Sequence, residues 1–161
     1  MIQRVQSVLL LLVMLLMCGS IFFTGWSKEN KAQTEKYELS PTTTTKYEMQ
    51  GNTYQVVEQT SNYTIAVLAF LAAGVALFSI FQYKNRPLQI KLGFLISLLI
   101  AGNVGVLLFT SKELEKSFAT DVMGQYSFGL YLPMVALLCN ILSNRFIHRD
   151  ERLVRSMDRI R

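Results

Sequence analysis

The residues whose types and spacing come nearest to a working surface lie at the end of the chain. Arg145, Arg149, Arg152, Arg155 and Arg159 recur at steps of three and four, and Phe146, Leu153, Met157 and Ile160 fall between them. Wound as a helix, that spacing segregates cations from apolar groups and makes a basic amphipathic helix. Such a helix lies on an anionic leaflet or packs against a protein partner. The expected contacts are therefore membrane lipid and a membrane or cytoplasmic protein, with self-association left open and nucleic acid disfavoured. His148 has Arg145, Arg149 and Arg152 within helical reach and reads as a solvated residue at the end of a span.

Most other chemistries lack their residues. The chain has no glycine-rich phosphate loop, no nucleophile elbow and no paired-cysteine motif. Its single histidine and its separated Cys18 and Cys139 argue against a metal site and against a disulfide. Apart from Arg145, near the end of the last run, the apolar runs hold no Asp, Glu, Lys, Arg or His. Ionisable groups inside a membrane mark ion pathways and proton relays, so a pump, an ion-coupled transporter or an intramembrane protease is not expected. Neither is a catalytic residue, a cofactor or a metal.

Inside the apolar runs Ser97, Asn103, Asn140 and the helix breaker Pro133 invite a physical reading. Gly93, Gly102 and Gly105 accompany them, and small residues let membrane helices approach closely. At about 1.5 Å per residue, Asn103 lies roughly 12 Å inside its run, level with Pro133. Pro133 deprives the Gly129 carbonyl of its helical donor, and the Asn103 amide is the expected replacement. Asn140 lies deeper, level with Ser97. Both pairs read as packing glue between helices.

These residues must be positioned by four apolar runs, about 5–26, 63–83, 92–110 and 126–147. Runs of about 20 apolar residues are long enough to span a bilayer as helices. The first reads as an uncleaved span with Trp26 as its interfacial anchor, because it continues past Cys18, where a signal peptide would end. The short basic link Lys84–Lys91 forces the second and third runs into an antiparallel pair. Lysine and arginine near span ends stay on the cytoplasmic side. With both termini inside, that side holds Arg4, Lys84, Arg86, Lys91, Arg145, Arg149, Arg152, Arg155, Arg159 and Arg161. The net charge of +5 is then explained by anchoring.

Residues 27–62 form the one substantial polar segment. Its lysine- and glutamate-rich start reads as an extension of the first helix. Tyr37/Leu39, Tyr47/Met49 and Tyr54/Val56 then alternate with polar residues, which is strand spacing. Pro41 and Gln50-Gly51-Asn52 supply turns. A small two- or three-stranded hairpin or meander is expected, its tyrosine face on the helix ends or on a partner.

The opening Met1-Ile2-Gln3-Arg4-Val5-Gln6 and the closing Leu132-Pro133, Asn144-Arg145, Asp150-Glu151-Arg152-Leu153-Val154-Arg155-Ser156 and Asp158-Arg159 resemble an uncharacterised family of small four-span inner-membrane proteins of the Bacteroidota. The resemblance covers the whole chain in length and layout, and is specific at the two ends. It implies a location and a helical bundle but no activity and no site residues.

The expected fold is a single all-α membrane domain, an up-down four-helix transmembrane bundle with a small β-rich loop outside and a basic tail at 148–161. The expected function is a non-enzymatic accessory or scaffold subunit of a bacterial inner-membrane assembly, engaging its partner or anionic lipid through the tail and the outer loop. The alternative is a small-molecule or lipid transporter, or a lipid-modifying protein, with a cavity near Asn103, Pro133 and Asn140.

Overall fold

The computed structural model describes residues 2–51, 53–83, 85–117 and 122–158, with side-chain surroundings between residues 5 and 152. In chain order the elements are α1 (Ile2–Ser20), β1 (Trp26–Glu29), β2 (Glu35–Leu39), β3 (Thr43–Gln50), β4 (Thr53–Ser61), α2 (Thr64–Phe81), α3 (Arg86–Ser117), β5 (Gln125–Tyr126) and α4 (Phe128–Asp158).

Each helix packs against its neighbour in the chain, and α1 closes the ring against α4. The core between them is built from Leu10, Val13 and Met17 of α1, Ile96 and Ile100 of α3, and Ala136 and Cys139 of α4. Opposite these, the buried residues that α2 adds to this core are small, Ala69, Ala72, Ala73 and Ala76 at steps of three and four, with the partly buried Val75 and Ile80 packed beside them. That stripe lets the neighbouring backbones come close. The outward surfaces are apolar as well: Phe70, Phe94, Phe109 and Leu138 are all more than half exposed. Among the described residues three helices are long and apolar enough to cross a membrane, Thr64–Phe81, Arg86–Ser117 and Phe128–Arg152, while the apolar stretch Val5–Ser20 of α1 is shorter.

The expected basic link contracts to a tight turn. Asn85 N–H donates to the Gln82 carbonyl at 3.0 Å, and α3 begins at Arg86. Pro87 occupies the first turn, where its missing N–H has no helical partner to lose. Leu88 N–H donates to Asn85 Oδ1 at 3.4 Å, so an asparagine side chain satisfies an orphan donor of the new helix. At its other end α3 runs on to Ser117, through part of what reads in the sequence as a polar link.

The all-α class with a small hairpin is corrected by the sheet. It has five antiparallel strands in the order β4-β3-β2-β1-β5, so the fold is mixed: a helical layer with a substantial sheet packed on one end of it. Two strands lie outside the sequence expectation. Trp26–Glu29, read as helix and interfacial anchor, is β1, paired with β2 on one side and β5 on the other. The two-residue β5 comes from the segment between α3 and α4 and closes the far edge.

The register also divides the tyrosines between the two faces. Tyr37 lies opposite Lys28 and Lys46, and Leu39 opposite Trp26 and Thr44. This face meets the helices: Trp26 and Leu39 cluster with Ile65, Leu107 and Leu130, and Tyr37, Leu114 and Tyr126 pack around them. Tyr47 instead lies opposite Lys36 and Val56, and Met49 opposite Tyr54. Partners directly across a ladder share a face, so Tyr47, Met49, Tyr54 and Val56 lie on the side turned away from the helices. The expectation of one tyrosine face is thus replaced by two faces, because a one-residue offset across a turn inverts every side chain that follows. Gly51, with φ at 69°, turns β3 into β4.

Across that outer face Tyr54 Oη donates to Glu29 Oε1 at 2.5 Å, with the Gln33 carbonyl 3.1 Å away. The bond to the carboxylate raises the Tyr54 pKa above its ordinary 10.0, since losing the proton would set a phenolate against Glu29. Its stabilising share is whole below pH 10 and is lost as pH rises through the raised value. In an alkaline titration followed by phenolate absorbance, Tyr54→Phe is expected to remove one of the late-titrating tyrosines, and Glu29→Gln to shift it earlier. Identical curves for Glu29→Gln and the natural chain would show that the contact does not hold Tyr54.

Candidate functional site at the basic end of the helices

Two sets of polar side chains enter the helical layer. Near the sheet, Asn103 is almost fully buried and its Nδ2 donates to the Ile65 carbonyl at 2.7 Å. It ties α3 to the first turn of α2 and does not take up the carbonyl of Gly129, so the expected pairing with Pro133 is replaced. Pro133 is fully buried inside α4. Gly129, one turn earlier, is pressed against the chain leaving α1: its N–H donates to the Thr24 carbonyl at 3.0 Å. A Cβ on Gly129 would stand 2.6 Å from the Phe23 carbonyl oxygen.

At the other end the four helices contribute to one polar layer. Asn140 Nδ2 donates to the Gly93 carbonyl and to Ser97 Oγ, each at 2.8 Å. Gln89 Nε2 donates to the Ser79 carbonyl at 3.2 Å, and Ser143 Oγ to the Gln6 carbonyl at 3.4 Å. Gln6, Ser79, Gln89, Asn140 and Ser143 are all buried. Asn144 joins them where α3 and α4 touch, its amide seated on Gly93. Gln6 Nε2, Ser79 Oγ, Asn140 Oδ1 and Asn144 Oδ1 have no hydrogen-bond partner. Buried polar atoms are nearly always paired, so the layer costs stability. Its side chains are all amides and hydroxyls, which confines it to hydrogen bonding. Sequence reasoning picked out Ser97 and Asn140 but missed Gln6, Ser79, Gln89, Ser143 and Asn144. The available signal was their common depth, near the basic end of each run.

Beyond this layer α4 continues as one helix to Asp158. Arg145, His148, Arg149 and Arg152 are exposed, and they line a recess of about 490 Å³. Phe146 is half-buried and Ile147 fully buried on the opposite side. Arg86 Nη2 holds Asp150 Oδ2 at 3.1 Å, and Arg86 Nη1 donates to the Asp150 carbonyl, so the start of α3 clamps α4. Leu153, Arg155 and Met157 stand on the helical backbone, but their side chains lie outside the described residues, as do Arg159 and Ile160 altogether. Among the described residues no cluster of His, Cys, Asp and Glu is arranged to hold a metal, and Cys18 and Cys139 are free thiols.

At the opposite end of the molecule β4 is the outer strand of the sheet, bonded to β3 on one side only. All nine of its residues are exposed. Between Thr53 and Ser61 there is one charge, Glu58, and no lysine, arginine or proline.

A family model described as a domain of unknown function, DUF4293, matches residues 2–160, nearly the whole chain. No curated protein matches it.

Proposed function

Because the chain belongs to the DUF4293 family, whose description names no activity, we propose a function from its own geometry: a non-enzymatic accessory or scaffold subunit of a bacterial inner-membrane assembly. In this reading α1 to α4 sit in the bilayer with both termini on the cytoplasmic side, and the sheet stands outside. The apolar outward surfaces of the helices and the grouping of cations at the end opposite the sheet support that placement.

The observation that carries the proposal is β4. A long exposed edge strand is a template for another chain, and proteins ordinarily blunt such edges with lysine, proline or a covering loop. β4 has neither residue type, and its whole length is exposed; Glu58 and one irregularity in its pairing with β3, at Lys46/Tyr47, are what interrupt the edge. An extended segment of an extracytoplasmic partner adding to this edge would use backbone hydrogen bonds for affinity and alternate side chains for selectivity.

The transporter reading has less support. Asn103, Pro133 and Asn140 are buried, and both asparagine amides donate to backbone carbonyls of neighbouring helices, which is the behaviour of helix–helix glue.

Two measurements test the proposal. Reporter fusions after Gln50 and Ser117 are expected to read as outside, and fusions after Arg86 and Arg161 as inside. A photo-crosslinking side chain at Gln55 or Gln59 is expected to capture one discrete protein in intact cells, whereas the same group at buried Thr45 captures none. An inside signal at Gln50, or no adduct from either β4 position, would overturn the scaffold reading.

A further inference from the structure

We propose that the outward stripe of α4 is a binding site for the phosphate of an anionic phospholipid in the leaflet that surrounds the basic end of the helices. The inference rests on the reading that these helices are embedded in a bilayer, but not on the accessory function. The residues form one continuous line. Leu138, Ile141, Leu142, Arg145, His148, Arg149 and Arg152 follow each other at steps that sum to helical turns, so they share a face. All are exposed. Along that line the chemistry changes once, between Leu142 and Arg145, within a single turn of about 5 Å. An apolar surface that gives way to cations over that distance matches a lipid, acyl chain first and headgroup next.

The cations are also available. No ion pair among the described residues engages Arg145, His148, Arg149 or Arg152. The nearby acid Asp150 is held by Arg86, on the side that faces α3. Glu151 has an interaction of its own. Arginine presents a planar fork of donors that fits phosphate oxygens, and three of them stand within two turns around one recess. A soluble partner would meet the cations but not the apolar residues below them, since those lie at acyl-chain depth.

The test uses the full chain purified in mild detergent. Native mass spectrometry counts adducts with phosphatidylglycerol and with phosphatidylcholine of the same acyl chains. The natural chain is expected to retain phosphatidylglycerol preferentially. The variant Arg145→Gln/Arg149→Gln/Arg152→Gln is expected to lose that preference about tenfold or more. The control Lys112→Gln/Lys116→Gln, at the sheet end, is expected to keep it. Each arginine is exposed, so single Arg145→Gln and Arg149→Gln variants, with graded losses, serve if the triple variant does not fold. Millimolar inorganic phosphate is expected to leave the adduct in place. Displacement by phosphate alone would assign the recess to a free anion and overturn the lipid site. Equal retention of the two lipids by the natural chain, or an undiminished preference in the arginine variants, would overturn it too. Reporter fusions can fail while lipid preference survives, so the two proposals fall separately.

Discussion

Trp26→Ala is expected to destabilise the protein by about 3–5 kcal/mol, the range for truncating a large buried aromatic side chain. Trp26 is 1% exposed although it opens a strand at the junction of sheet and helices. It lies opposite Leu39 on β2 and Tyr126 on β5, and its ring packs with Ile65, Leu107 and Leu130, one each from α2, α3 and α4. The indole also occupies the space in front of Gly124, where a Cβ would come within 2.3 Å of it. Removing the ring therefore opens a cavity bounded by β2, β5 and three helices, with little freedom to collapse. Trp26 is the only tryptophan in the chain, so its emission reports unfolding of this junction in the natural protein. The variant is followed by circular dichroism, and Trp26→Phe is expected to retain more than half of the lost stability. A loss below about 1 kcal/mol for Trp26→Ala, the size of a surface substitution, would mean that the sheet is not held through this residue.

That same tryptophan shows why part of the fold was legible and part was not. Apolar runs and their basic ends are local signals, so four helices could be placed from composition, and Pro87 just inside α3 is a local start signal as well. Trp26 beside a long apolar run has the local appearance of an interfacial anchor. Only its partners Leu39 and Tyr126, the latter a hundred residues away in sequence, make it a residue paired on both sides within a sheet. β5 has two residues, too few for any alternation to be seen, and exists because β1 offers it an edge. The inverted tyrosine face has a similar cause. Alternation within β2 and within β3 was visible, but the offset between them depends on how the chain turns at Ser40 to Thr42, where Ser40 N–H donates to the Thr43 carbonyl. In the candidate site, equal depth correctly brought Asn140 to Ser97 but failed for Asn103 and Pro133. Depth fixes one coordinate, and the rotation of α3 turned the Asn103 amide toward α2.

The polar layer supplies the second large effect, and its sign can be separated from ordinary crowding. Gly93→Ala places a Cβ where Asn144 Oδ1 now sits, with Cγ and Nδ2 of the same amide only 2.5 Å away. No contact that short survives, so Asn144 must leave, and the Gly93 carbonyl that accepts from Asn140 shifts with the backbone. Overpacking of this kind is expected to cost about 1–3 kcal/mol. Asn144→Ala should cost much less, because the amide oxygen it removes has no partner, and deleting an unpaired buried polar atom relieves a desolvation penalty. The double variant Gly93→Ala/Asn144→Ala is then expected to be more stable than Gly93→Ala alone, with a coupling of about 1 kcal/mol or more, as for residues in direct contact. Thermal or denaturant unfolding of the four proteins in one detergent measures the cycle. If the two substitutions are additive, the close approach of α3 and α4 does not depend on the glycine receiving the Asn144 side chain. A coupled result would instead explain why the two helices meet through a glycine and an amide: the polar layer sets how closely, and in what register, α3 and α4 can approach at the basic end.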